Sequence, residues 1–266
     1  MKITMLGTGN AMVTECYNTC FVLHENDKYF LVDGGGGNTI FRQLKYANIN
    51  WADIHDIFVT HAHVDHLMGI IWLVRKFCQS MSEGKYDGTV NVYAHKELCE
   101  MIDDFSRKLY PQKICRFIGD RFKLIPIDDG DTLEIIDRKV TFFDIGSTKL
   151  KQFGFSMELD GGERLTCCGD EPFREGERNY AEGSAWLLHE AFCLDAEADV
   201  FHPYEKHHST AKDAATLAND LGIKNLLLYH TEDKSILRRK ELYTAEAQKQ
   251  FSGNVFVPDD LETIEL

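Results

Sequence analysis

Within the seven residues Thr60-His61-Ala62-His63-Val64-Asp65-His66 the chain places three imidazoles and a carboxylate, and no other stretch restricts its fold as closely. The β-branched and apolar run Ile57-Phe58-Val59-Thr60 leads into it and reads as a buried strand. Leu67-Met68-Gly69-Ile70-Ile71-Trp72-Leu73-Val74 leads out and reads as a buried helix. At such a strand-to-helix turn His61 and His63 can point the same way while Asp65 and His66 sit at the helix start. Polar groups so placed converge on a common point, which suits a metal ion.

At 266 residues with 44% hydrophobic content the chain can bury a sizeable core, and a globular enzyme is the default class. Forty-three acidic residues against 29 basic ones give a formal charge of -14, which disfavours non-specific attraction to nucleic acid or anionic membrane. No apolar run approaches the roughly 20 residues of a membrane span. The N-terminal Met1-Lys2-Ile3-Thr4-Met5-Leu6-Gly7 enters a strand without a signal-peptide pattern, so a cytoplasmic location is expected. Eight cysteines without paired CxxC spacing read as buried thiols in a reducing compartment, Cys168 among them.

In chain order, strand Ile3 to Leu6 and the turn Gly7-Thr8-Gly9-Asn10 are followed by strands Cys20 to His24 and Tyr29 to Val32, joined by Glu25-Asn26-Asp27. Gly-Thr-Gly without a third glycine or a following helix is a weak nucleotide signal. Asp33, in Asp33-Gly34-Gly35-Gly36-Gly37, points to the same end of the sheet as the histidine stretch, as a turn residue or as support for the site. Helical spacing covers Asn38 to Asn48, about Asp65 to Cys78, and Lys96 to Tyr110. Strands follow near Val90 to Ala94, Phe122 to Pro126, Thr132 to Ile136, Val140 to Asp144, Gly154 to Leu159 and Arg164 to Cys168. The last third alternates strand Ala185 to Leu188, helix Thr210 to Leu221, strand Asn225 to Tyr229, helix Lys240 to Phe251 and strand Val255 to Val257. Several strands precede a helix in each half, which predicts a four-layer αββα sandwich: two mixed β-sheets face to face, flanked by helices, in one domain over 1–266.

Two residues can join the opening stretch. Asp170, in Thr166-Cys167-Cys168-Gly169-Asp170, and His230, after Leu226-Leu227-Leu228-Tyr229, both lie just past an apolar strand. With His61, His63, Asp65 and His66 they form a set of nitrogen and oxygen ligands at strand ends, suited to zinc and also to manganese or iron. The HxHxDH stretch, the later Gly169-Asp170 and the terminal His230, in this order, resemble the metallo-β-lactamase superfamily over nearly the whole chain. Leu188-His189-Glu190-Ala191 and His208-Ser209-Thr210-Ala211 resemble its ribonuclease Z branch, and Leu6-Gly7-Thr8-Gly9 and Asp33-Gly34 fit as well.

The resemblance implies roles position by position. His61 and His63 would bind a first metal, Asp65, His66 and His230 a second, and Asp170 would bridge. A water between two divalent cations loses its proton near neutral pH and becomes the nucleophile, with Asp65 orienting it. His208, oriented by Glu190, would stabilise a phosphoryl oxygen or protonate the leaving group. The other reading of Glu190 and His208 is a buried hydrogen-bonded pair at a helix start. Dimers are common in the branch, so a homodimer is expected by analogy alone.

The chain departs from the pattern twice. No histidine lies between His95 and His189, so the usual third imidazole of the first metal is missing. Its place falls near Thr148, leaving Asp144, Ser147, Thr148, Lys149 or water to stand there, and one or two ions to be bound. The long basic arm by which transfer-RNA-processing members grip RNA has no room between Gly154 and Asp170. With an acidic chain, transfer RNA is a poor substrate and a small molecule the better one.

The favoured function is a metal-dependent hydrolase, a phosphodiesterase on a small or cyclic nucleotide-like substrate. The alternatives are hydrolysis of an ester, lactone or β-lactam on the same metals, with antibiotics least favoured, or a non-catalytic metal- or ligand-binding relative. His24, His55, His95, His189, His202 and His207 take structural or surface readings. Tyr17, Phe155, Phe173, Tyr180 and Tyr204 are candidates for the pocket wall, and the charged loop Glu171 to Gly183 for a lid. Metal analysis after mild chelation is expected to show a partly occupied first site; two equally tight equivalents would mean that a ligand has been missed.

Overall fold

The computed structural model describes residues 1–266. In the first half, β1 (Lys2–Gly7), β2 (Cys20–Glu25) and β3 (Lys28–Val32) form an antiparallel meander. Asn26 and Asp27 both adopt positive φ, which gives this two-residue hairpin the twist of its strands. Helix α1 (Thr39–Tyr46) crosses to β4 (Ile54–Phe58), α2 (Val64–Ser82) to β5 (Val90–His95), and α3 (Lys96–Leu109) with the short α4 (Gln112–Cys115) to β6 (Phe122–Ile127). These crossovers make β3, β4, β5 and β6 mutually parallel.

The second half repeats the plan. β7 (Thr132–Ile135), β8 (Arg138–Asp144), β9 (Phe153–Glu158) and β10 (Arg164–Cys167) pair antiparallel. The short helices α5 (Arg178–Ala181) and α6 (Ala198–Phe201) flank β11 (Trp186–Glu190). Helix α7 (Ala211–Asp220), β12 (Asn225–Tyr229), α8 (Arg239–Ala247) and β13 (Asn254–Phe256) follow, with β10 to β13 parallel. A three-residue strand, β14 (Thr263–Glu265), returns to β1 and was too short to show in the sequence pattern. Each sheet has seven strands, in the order β14-β1-β2-β3-β4-β5-β6 and β13-β12-β11-β10-β9-β8-β7. The fold is therefore the expected αββα sandwich.

Three apolar layers hold it together. Between the sheets, Phe58 packs on Phe142 and Phe155 with ring centroids 4.9 and 5.8 Å apart, and Phe30 meets Phe155 edge-on at 5.7 Å. Outside the first sheet α2 buries Leu67, Ile70, Ile71, Val74, Phe77, Cys78 and Met81, the three-and-four spacing of one helix face. Outside the second sheet α7 buries Ala211, Ala214, Ala215 and Ala218, small side chains that let its backbone lie close to the strands. At its N-terminal end α2 almost touches the turn after β3: a Cβ on Gly69 would stand 1.8 Å from the Gly34 carbonyl oxygen. Two glycines make that approach possible.

The segment Glu171 to Gly183 corrects one expectation. Rather than a charged mobile lid, it carries a 3₁₀ turn and α5 and packs inward through Glu171, Glu177 and Ala181. Glu177 is 1% exposed, and its Oε1 accepts the Arg174 N–H at 2.7 Å. Burial pushes its pKa up to about 8 from 4.5. The native state thus keeps a proton that the unfolded state releases, so stability should fall as pH rises from about 4.5 to about 8 and level off above. Glu177→Gln is expected to flatten that decline in thermal melts and to exceed wild type at pH 8 by roughly 2–4 kcal/mol.

Candidate metal centre

The cluster lies off the carboxyl ends of parallel strands from both sheets, where α/β folds place their ligand sites. From the first sheet, the turn between β4 and α2 supplies His61, His63, Asp65 and His66. The second contributes Asp170, past β10, and His230, past β12. His230 takes a left-handed backbone (φ +58°), and Gly169 is held by a 2.5 Å bond from the Tyr229 hydroxyl to its carbonyl. Both turns are thus tied to each other as the second sheet ends.

One oxygen is the hub. Asp170 Oδ2 stands 3.5 Å from His61 Nε2, 3.3 Å from His66 Nε2 and 3.6 Å from His230 Nε2. His61, His63 and Asp170 present ligand atoms all within 4.8 Å of one another, as do Asp65, His66 and His230. The structure brings together all six residues expected to ligate, in the two expected groups.

The second ring nitrogens are occupied, which sets the tautomers. Asp33 Oδ2 accepts from His66 Nδ1 at 2.7 Å and from the Thr60 hydroxyl at 2.8 Å, while its Oδ1 accepts the Thr60 N–H at 2.8 Å. His61 Nδ1 lies 2.9 Å from Thr60 Oγ1, and His230 Nδ1 3.2 Å from Thr19 Oγ1. With Nδ1 as donor, each ring turns an Nε2 lone pair to the cluster. The fit to a cation is direct: His66 Nε2 is fully buried with no hydrogen-bond partner, although the carboxylates of Asp65 and Asp170 stand 3.4 and 3.3 Å from it. Burial works against a charge on His66, yet Asp65 and Asp33 prevail and hold its pKa well above the ordinary value. Burial likewise opposes ionisation of Asp170, and His61 and His66 outweigh it, so that the carboxylate stays far below its usual range.

The groups offered for the missing imidazole are engaged elsewhere. Asp144 accepts the Gly146 N–H, the Ser147 hydroxyl donates to Glu171 Oε1, Thr148 is exposed, and the Lys149 ammonium bonds the Lys206 carbonyl. What reaches the cluster from this connection is Gln152, whose Nε2 donates to Asp170 Oδ1 at 2.5 Å. Sequence reasoning passed over it because a neutral amide is not a usual metal ligand. Its only signal was its place two residues before Gly154-Phe155.

His208 Nδ1 lies 2.7 Å from Glu190 Oε2, and Glu190 Oε1 accepts the Ser209 N–H at 2.7 Å. Burial raises the pKa of Glu190 and lowers that of His208. Both directions favour an uncharged pair, and Nδ1 is the ring nitrogen that Glu190 engages. Phe192 stacks flat on His208, centroids 4.6 Å apart. A cavity of about 720 Å³ opens over the cluster, lined by Met12, Val13, Phe192, Phe201, Lys149 and Lys206 beside His63, Asp65, Asp170, His208 and His230. The aromatic wall is therefore Phe192 and Phe201. Tyr17 and Phe155 are buried, Tyr180 stacks on Phe143, and Phe173 and Tyr204 line a separate hollow behind His208.

Fold and cluster together define a protein of the metallo-β-lactamase fold, and its sequence is similar to that of ribonuclease Z. Ribonuclease Z of Methanothermobacter thermautotrophicus is 26% identical over an alignment of 309 residues, covering 100% of this chain and 97% of that protein. The alignment is longer than this chain, so the relative holds residues for which this chain has no counterpart. The fold matches that of the metallo-β-lactamase-fold protein YhfI from Bacillus subtilis (TM-score 0.77, 19% identity, 99% of each chain). It also matches the short form of human tRNase Z (TM-score 0.75, 21% identity, 100% of this chain and 99% of that one). The family described as anti-Pycsar protein Apyc1 matches residues 1–251, and the chain belongs to that family.

Asp33 offers a test of the cluster that replaces no candidate ligand. In Asp33→Asn the amide must point its NH₂ either at the Thr60 N–H or at His66 Nδ1, and the second arrangement drives the ring proton onto Nε2. Metal titration of the stripped variant should show affinity lowered by roughly 10–100-fold.

Proposed function

We propose that the protein is a metal-dependent hydrolase, and specifically a phosphodiesterase acting on a small or cyclic nucleotide-like phosphodiester, with zinc as the ion. The observation that carries this reading is the Glu190–His208 pair at 2.7 Å, placed on the cavity wall beside Asp170 and His230. His61, His63 and Asp170 would hold one ion, and Asp65, His66 and His230 the other, with Asp170 shared. Bound there, divalent metal supplies Lewis acidity and a nucleophile at neutral pH.

The chain's own residues supply the rest. Glu190 engages Nδ1 of His208, and Phe192 fixes the plane of the ring, so Nε2 addresses a phosphoryl or leaving-group oxygen in one orientation. Lys149 and Lys206 are the cavity's cationic side chains, in a chain of net charge -14, and they favour an anionic substrate. A cavity of about 720 Å³ suits a small ligand. Between β9 and β10 the chain turns within Leu159 to Glu163, which leaves no arm for RNA.

Hydrolysis of bis-p-nitrophenyl phosphate, with negligible cleavage of a precursor transfer RNA, is expected of the metal-loaded protein. His208→Ala should lower kcat by about 10²–10⁴-fold with a smaller effect on KM. Turnover of carboxylic esters or lactones without any phosphodiester turnover would overturn this reading.

A further inference from the structure

The two oxygens of Asp170 have different surroundings. Oδ2 faces the three imidazole Nε2 atoms at 3.3–3.6 Å, whereas Oδ1 is taken by Gln152 Nε2 at 2.5 Å. Gln152 is 1% exposed and held from several sides. Its carbonyl accepts the Ile145 N–H at 3.1 Å, closing the connection between β8 and β9. The next N–H, of Phe153, donates to the Thr60 carbonyl at 3.1 Å, directly before His61. On the other side Gly169 runs so close, at φ +80°, that a Cβ there would stand 2.7 Å from the Gln152 amide nitrogen. The amide is therefore fixed between the strand end that carries His61 and the turn that carries Asp170.

From these contacts we infer that Gln152 is a positioning residue: by occupying Oδ1 it restricts Asp170 to bridge through Oδ2 alone. The inference rests on the cluster being a metal centre and is independent of the substrate. An amide nitrogen donates and has no lone pair to offer a cation. Turned this way, Gln152 adds no ligand to His61 and His63; it withholds the second oxygen of Asp170 from chelating either ion. Ions held by these residues would keep a lower coordination number, with room for water or substrate. Without the amide, Oδ1 is a buried acceptor lacking a partner, and the nearest partner it can take is the metal.

Cobalt(II) titration of the metal-stripped protein, followed by visible absorption and by calorimetry, tests this on wild type, Gln152→Met and Gln152→Ala. Methionine keeps the length and bulk of the side chain without the donor; alanine removes both, and metal-free melting curves report whether each variant is folded. At saturation both variants are expected to absorb more weakly per cobalt, because a higher coordination number weakens the ligand-field bands. A folded Gln152→Met with the wild-type spectrum would overturn the inference. A changed cobalt spectrum in the variants supports it even where no phosphodiester is turned over, since binding is read directly. A wild type that takes up no cobalt would overturn it together with the metal-centre reading.

Discussion

The carboxylate of Asp33 is the interaction on which the rest of the site depends. It accepts the Thr60 N–H, the Thr60 hydroxyl and His66 Nδ1, all within 2.8 Å, and so joins the end of β3, the end of β4 and the first turn of α2. Through Thr60 Oγ1 the same hub reaches His61. The contact between Gly34 and Gly69 brings the helix start close enough for these bonds to form. A side chain on either glycine would push α2 outward, and His66 with it.

Six ligand candidates come from two sheets whose strands end at one edge. Neither sheet holds a complete set: the first brings three imidazoles and Asp65, the second the shared Asp170 and His230. The phenylalanine layer of Phe30, Phe58, Phe142 and Phe155 sets the spacing between the sheets, and hence the distance between the halves of the cluster. Core packing and site geometry are in this sense one constraint. It also explains why so many charged groups tolerate burial. The Asp170 carboxylate faces His61, His66 and His230 across the seam, and the imidazoles offset part of the cost of removing it from water.

Much of this was legible in the chain. Alternation and helical spacing located nearly every element, because each sheet buries one face against the other and each helix one stripe. The three-residue β14 was missed, and the helix expected over Lys240 to Phe251 is found as α8 but stops at Ala247. The charged segment Glu171 to Gly183 read as mobile, since composition alone cannot show that Glu171 and Glu177 turn inward. Phe192 and Phe201 were overlooked as cavity walls because aromatic residues carry no sequence mark of whether they face the core or an opening.

By itself the sequence determined the identity of the candidate ligands, since imidazoles and carboxylates at fixed spacing on strand ends carry their chemistry with them. It also determined the four-layer fold, through the periods of its apolar residues. Only the tertiary structure decided what stands near His61 and His63. Gln152 lies 18 residues from Asp170 and 91 from His61, and no local pattern links them. Their meeting follows from the pairing of β8 with β9 and of β9 with β10, which brings the Gln152 amide to Asp170 at the sheet edge. Contacts of that kind are set by the packing of whole strands, and a linear pattern does not record them.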